Sequence, residues 1–272
     1  LLVAPMAAQG PAPAQPDAAQ APTPRLASGK PDLTGSWQGV AGGLRGSGGN
    51  MFRRCTPFQT KECMEWTNQS ADWVFMSATR LDERQPLYKP EHWDKIIELD
   101  QWTNKYDPVM TCLPLGIPRQ GPPARIFHTE NDVSMIYRGG VDGAGGYAEF
   151  RMIALDGKPH DPKRALQYTY MGYTVGRWEG DTLVLDSIGF SDETWLGRGG
   201  WFHSDQMRVV EKFTRTGNEM LYEVTVEDPE VLVEPWVMPA RTLRIANNNT
   251  IIPERGSCTE SELAEVSTQM RH

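Results

Sequence analysis

The chain has 272 residues but no run of about 18 or more apolar ones, so no segment reads as a membrane-spanning helix. It has no basic excess: 27 Lys and Arg stand against 35 Asp and Glu, a formal charge of −8. That balance argues against nucleic acid as a partner, because such binders carry a basic face. No Lys-Ser/Thr pair follows the glycines at Gly42, Gly43, Gly46, Gly48 and Gly49, so this loop is not a phosphate cradle. No Gly-x-Gly-x-x-Gly precedes a helix, which argues against a dinucleotide fold. A Gly-x-Ser-x-Gly elbow is missing too. Gly172-Tyr173-Thr174-Val175-Gly176 has its outline with Thr at the centre, but lies within a predicted strand. Cysteine is sparse: Cys55, Cys63, Cys112 and Cys258, with no CxxC and no nearby Cys/His ladder, which argues against zinc ligation by these thiols.

What is abundant is turn formers and tryptophan: 26 Gly, 21 Pro and 9 Trp. This composition suits a turn-rich β protein better than a helical bundle. The opening Leu1-Leu2-Val3-Ala4-Pro5-Met6-Ala7-Ala8 reads as the end of a signal-peptide apolar region running into small residues. Residues 1–31 hold nine Ala and seven Pro, with Asp17, Arg25 and Lys30 as the charges. Such a stretch is expected to be an extended leader, and an arm of this kind offers a route to a homo-oligomer by packing on a neighbouring subunit. The expected organisation is a leader over 1–30 and a single β-barrel-like domain over 31–272, in a periplasmic or secreted protein. After export, an even cysteine count implies two disulfides; of three pairings, Cys55–Cys63 as a local clip and Cys112–Cys258 as a long-range staple are favoured.

The folded part starts at Pro31-Asp32-Leu33-Thr34-Gly35-Ser36-Trp37, with a first strand continuing through Gln38-Gly39-Val40. Cys63, Trp66, Trp73 and Met76 stand at helical spacing over 62–79. Pro90 and Glu91 open a second helix over 90–102, with Trp93, Ile96, Ile97 and Trp102 as its apolar stripe. Residues 107–125 are too rich in proline for a central element and read as an ordered crossing loop. From 126 the period changes to two: Ile126/His128, Val133/Met135/Tyr137 and Phe150/Met152/Ala154 mark short strands. Two hairpins follow, over 170–188 with its turn at Glu179-Gly180-Asp181, and over 207–227 with its turn at Thr216-Gly217-Asn218-Glu219. A last strand spans Ala240–Ile245. The fold class is therefore mainly β: an antiparallel meander closing into a barrel, with one or two N-terminal helices and long Pro/Gly-rich loops. Small barrels with a cavity bind one small molecule.

On the strand after Met207, Glu211 shares a face with Val209 and Phe213. A carboxylate among apolar side chains is costly unless paired, and is a candidate general acid or base; a salt bridge across the sheet is the structural alternative. Of five histidines, His160 and His203 fall at strand ends, where barrel mouths form. They are the candidate acid–base pair, with Glu211, Asp192 or Asp186 tuning one of them. A His/His/carboxylate set also suits a divalent metal, although no HxH or HxxxH supports it and no cofactor is called for.

The run Gly176-Arg177-Trp178-Glu179-Gly180-Asp181-Thr182-Leu183-Val184-Leu185-Asp186-Ser187-Ile188-Gly189-Phe190-Ser191-Asp192-Glu193-Thr194-Trp195 resembles the signature of a family of uncharacterised secreted bacterial proteins. That signature reads Gly-(Arg/Lys)-Trp-Glu-Gly-Asp-Thr-Leu-Val-Val-Asp-Thr-x-Gly-Phe-Asn-Asp-x-Thr-Trp. Similar segments are Pro31–Trp37, Cys112–Arg119, Asp156-Gly157-Lys158-Pro159-His160, His203-Ser204 and Glu211-Lys212-Phe213, so the resemblance spans 31–236. It implies export and a lipocalin-like barrel, and carries no established reaction. The chain departs from the pattern at Ser187, Ser191 and Gly199-Gly200-Trp201-Phe202, and the bulky Trp201-Phe202 pair would alter a pocket rim.

Two functions fit these residues. The first is a small-molecule enzyme of lyase, isomerase or hydrolase type, with His203, His160, Glu211 and Asp192 as its catalytic set. The second is a non-catalytic ligand-binding protein or a subunit of an extracellular assembly. Either takes a small, partly apolar ligand, for which Arg151, Tyr173, Trp195, Trp201 and Phe202 are the candidate contacts. The geometry of His160, His203 and a carboxylate discriminates the two.

Overall fold

The structure is a computed structural model that describes residues 21–39, 86–111, 113–138, 149–197, 200–246 and 252. The expected helix over 62–79 and the cysteines Cys55, Cys63, Cys112 and Cys258, with their two proposed disulfides, lie outside the described residues.

The chain folds as expected into a mainly β architecture, a nearly closed nine-stranded antiparallel barrel. Its strands are β1 (Gly35–Gly39), β2 (Arg125–His128), β3 (Asp132–Ile136), β4 (Phe150–Ala154), β5 (Tyr173–Glu179), β6 (Thr182–Ile188), β9 (Arg208–Thr216), β10 (Glu219–Glu227) and β12 (Arg241–Ile245). They lie in the order β4-β3-β2-β1-β12-β10-β9-β6-β5. A short strand β11 (Trp236–Val237) pairs with β10, and β7 (Trp195–Gly197) and β8 (Trp201–Phe202) form a separate ribbon. Trp37 sits opposite Ile245, so β1 joins the C-terminal strand to the β2–β4 meander.

Local sequence explains the two long hairpins. Gly180 and Gly217 adopt φ of +61° and +59°. Both sit in two-residue turns whose positive φ matches the twist of the flanking strands. Period-two burial then carries Val209, Phe213, Met220 and Val224 into the barrel, and β6, beside β9, is buried without a break from Leu183 to Ser187. On β4 the alternation runs opposite to its apolar pattern. Phe150 and Met152 face outward, and Arg151 and Ile153 face the core. The reason is a buried ionic partner for Arg151, described below.

The expected helix over 90–102 begins as a 3-10 turn, Pro90–His92, and continues as α1 (Trp93–Gln101), with α2 (Thr103–Tyr106) after it. Ile96 is fully buried. The crossing loop is ordered, and an Asp107–Arg119 pair with contacts of 2.7 and 2.6 Å is buried within it.

Both ends of the barrel are covered. At the end where the hairpins turn, residues 21–34 form a strap. Arg25 pairs with Asp181 at 2.7 Å, Lys30 donates to the Gly180 carbonyl, and the Gly217 N–H donates to Thr23 Oγ1. Leu33 is buried behind it, and its N–H donates to Nδ1 of buried His128. The described part of the N-terminal arm thus packs on its own barrel, not free of it. At the opposite end, Tyr88, Trp195, Leu196, Trp201, Phe202 and Trp236 form an aromatic cap.

Candidate functional site

Glu211 has no exposed surface, and three strands converge on it. Arg151 on β4 brings Nη1 to 2.6 Å from Glu211 Oε2. Tyr222 on β10 donates its hydroxyl to Glu211 Oε1 at 2.9 Å. The same guanidinium donates through Nε to the hydroxyl of Tyr137 at 2.8 Å, and Nη2 also meets that hydroxyl. Nη1 reaches Thr174 Oγ1 at 3.5 Å, and Thr174 bonds Ser187 Oγ at 2.8 Å. The carboxylate is therefore paired across the sheet, the structural alternative anticipated for it.

Electrostatics follow from this packing. Burial works against the Arg151 charge, but Glu211 and Tyr137 more than offset it, and the guanidinium stays firmly protonated. Burial pushes both tyrosine hydroxyls up, Tyr137 against the pull of Arg151 and Tyr222 with the added push of Glu211. Both phenols are neutral donors at ordinary pH.

The hub backs onto a groove in the wall. β4 and β5 are the two ends of the sheet path, and no ladder joins them among the described residues. At one end they touch: a methyl on Gly176 would collide with Leu155 Cδ2 and lie 3.4 Å from the Ala154 carbonyl. Elsewhere a groove of about 570 Å³ opens between them, within the range of small-molecule sites. Phe150, Met152 and Val175 give it apolar walls, Arg151 and Thr174 line it, and the loop carrying Lys158 and Arg164 overhangs it. Phe150 and Met152 are 68% and 74% exposed, unusual for such side chains on a β-strand. Arg164, on the short helix α3 (Pro162–Ala165), holds its guanidinium 4.5 Å over the Tyr173 ring.

The remaining candidates are dispersed. His160 lies beside the groove, bonded through Nε2 to the Asp186 carbonyl at 2.9 Å and edge-on to Tyr173. Its neighbour Asp186 is held by Arg208 at 2.6 Å. His203 is buried in the cap, where Nε2 meets Thr194 Oγ1 at 2.7 Å and Nδ1 meets the Ser204 carbonyl at 2.8 Å. Burial lowers its pKa, against the opposing pull of Ser204, Asp228 and Asp192, so the imidazole is neutral. Asp192 is exposed. Among the described residues, His160, His203 and Glu211 share no partner, so the proposed acid–base pair is not assembled. Trp195, Trp201 and Phe202 are core of the cap instead of a pocket rim: Phe202 accepts the Tyr88 hydroxyl on its carbonyl and packs under Lys95, and Trp201 stacks edge-on against Trp236. Of the expected ligand contacts, the groove holds Arg151 and Tyr173.

The sequence reading missed Tyr137, Tyr222, Thr174, Arg164 and Asp228. Asp228 organises the cap by accepting from the Ser204 N–H and hydroxyl and from the N–H groups of Glu230 and Val231. A usable signal existed for the hub. Arg151 shares strand parity with Ile153, as Glu211 does with Val209 and Phe213, and two opposite charges on apolar faces call for each other.

Among the described residues no three His, Cys, Asp or Glu side chains gather as a metal site, and no helix is long and apolar enough to cross a membrane. No protein-family model, curated protein or solved structure matches the chain, so its own geometry carries the functional argument.

Proposed function

We propose that this protein binds a small, partly apolar ligand in the groove between β4 and β5. The observation that carries this reading is the unzipped seam itself, a groove of about 570 Å³ walled by exposed Phe150 and Met152 and backed by a rigid polar hub. A barrel closed at both ends but open along one wall offers a ligand that wall. The dispersal of His160 and His203 supports binding over acid–base catalysis. His203 uses both ring nitrogens within the cap, which leaves none for a substrate. Export to the periplasm or medium belongs to the same proposal, supported by the Ala/Pro-rich N-terminal composition.

The test is a calorimetric screen of small amphiphiles against wild type and Met152→Glu. A ligand that binds wild type and loses about tenfold or more in the variant supports the groove. Equal binding to both proteins, or no binding by any amphiphile, overturns it.

A further inference from the structure

We infer that the ligand of this groove is a short extended peptide with apolar side chains and a free carboxylate, bound by strand addition; the inference rests on the groove being the ligand site.

Backbone accounting carries the argument. Every hydrogen-bonded neighbour pair around the nine-stranded path is antiparallel. Nine is odd, so the terminal strands β4 and β5 run in the same direction. A simple hairpin-like closure is therefore unavailable to them. Which backbone groups face the seam follows from the ladders. The Tyr137 N–H donates to the Glu149 carbonyl and the Leu155 N–H to the Asn131 carbonyl, both at 2.8 Å. Odd-numbered positions of β4 thus bond β3. Phe150, Met152 and Ala154 turn their N–H and C=O groups toward β5. On β5 the two-residue turn makes Glu179 and Thr182 the closing bonded pair. Alternation then assigns Arg177, Val175 and Tyr173 to β6, and Thr174 and Gly176 face the seam.

Two rows of strand donors and acceptors therefore look at each other across the groove without a ladder between them. Exposed rows of this kind are templates for an added strand. The side chains agree. Phe150 and Met152 offer apolar cover on the outer face, where alternate residues of an added strand would project. Phe150 to Met152, the part of β4 clear of the contact at Gly176, gives an edge of about 10 Å, room for about three extended residues.

Charge gives the peptide an end. Asp156 accepts from the Lys158 N–H and ammonium, and Asp161 accepts from the Lys163 N–H. Arg151 is neutralised by Glu211. Arg164 stacks on Tyr173 and has no carboxylate partner among the described residues. Among the cations that line the groove, it is the one left to meet a peptide carboxylate.

The experiment titrates wild type, Arg164→Gln and Met152→Glu with four probes. These are an apolar tripeptide with a free carboxylate, its C-terminal amide, its backbone N-methylated analogue and a fatty acid of similar length. The tripeptide is expected to bind wild type, with affinity about tenfold lower for the N-methylated analogue and about fivefold lower for the amide. Arg164→Gln is expected to bring acid and amide to equal affinity. If the fatty acid binds in a Met152-dependent way and the tripeptide does not, the peptide inference falls and the groove reading stands. If no probe depends on Met152, both fall. Hydrogen exchange gives an independent reading. The amides of Met152 and Thr174, which line the groove, are expected to exchange fast in the free protein and slow with tripeptide. Slow exchange in the free protein overturns the inference, because the seam edges would already be paired.

Discussion

The aromatic cap and the β4–β5 seam both bury polar side chains, but they leave different things exposed. In the cap, His203 is bonded at both nitrogens and Asp228 accepts four donors, while Trp201 and Phe202 are buried between them. At the seam, the side chains of Arg151, Glu211, Tyr137 and Tyr222 form one buried network, yet the strand edges beside them have no ladder partner among the described residues. Side-chain satisfaction and backbone satisfaction are thus separable. The cap has the composition of a binding site, rich in Trp, Phe and His, and the packing of a core. The seam has the hydrogen-bond hub of a core and the open surface of a binding site.

The largest effect separates the hub from the cap. Arg151→Met leaves the Glu211 carboxylate buried without its cation, and about 3–5 kcal/mol of stability is expected to be lost in urea unfolding. Arg151→Met/Glu211→Leu is expected to regain only part of this, because the Tyr222 hydroxyl is then buried without its carboxylate and the Tyr137 hydroxyl keeps only the Met135 sulfur. Adding Tyr137→Phe and Tyr222→Phe completes the recovery. If the double variant alone returns to wild-type stability, the four residues are not a coupled hub. In the cap, His203→Leu removes one partner each from the Thr194 hydroxyl, which keeps the Ser191 carbonyl, and the Ser204 carbonyl, which keeps the Met207 N–H, for an expected loss of about 1 kcal/mol.

Why these two regions were unequally legible is a matter of contact range. The turns at Gly180 and Gly217 are encoded within four residues, so the hairpins could be read directly. The inversion of β4 could not. Arg151 looks like a solvent-facing residue between Phe150 and Met152 until Glu211 is placed opposite it across the barrel, and that pairing depends on closure. The same holds for β1, whose Trp37 meets Ile245 at the far end of the chain. Of the site, Arg151 and Tyr173 were found. Phe150 and Met152 were read as strand periodicity, because exposure of an apolar face is a tertiary fact. The bulk of Trp201 and Phe202 suits a pocket rim and a buried core equally well, and local sequence does not separate the two.

A pH titration sharpens the contrast further. His203 and His128 are both buried with pKa values lowered first of all by that burial. An unfolded histidine takes a proton near about pH 6.5. Between that value and the lower folded-state value the unfolded chain binds more protons. Stability is therefore full above about pH 6.5 and falls as pH drops through the window below it, by up to about 1.4 kcal/mol per pH unit for each histidine. His203→Leu is expected to remove one share of this slope. Met152→Ser at the seam, which removes no titratable group, is expected to leave it unchanged. Equal slopes in wild type and His203→Leu would mean that His203 is not the neutral, buried group described.

The smallest expected effect on stability is the most informative about function. Met152 projects into solvent from β4, so Met152→Ser removes little buried area and should change stability by less than about 0.5 kcal/mol. The same truncation in the cap, Trp201→Ser, removes a fully buried indole and should cost about 3–5 kcal/mol. Chemical denaturation of the two variants, run beside tripeptide titration, separates the roles: Met152→Ser should keep wild-type stability and lose affinity. If it loses stability instead, Met152 is covered in solution, and the wall it forms is not open to a ligand.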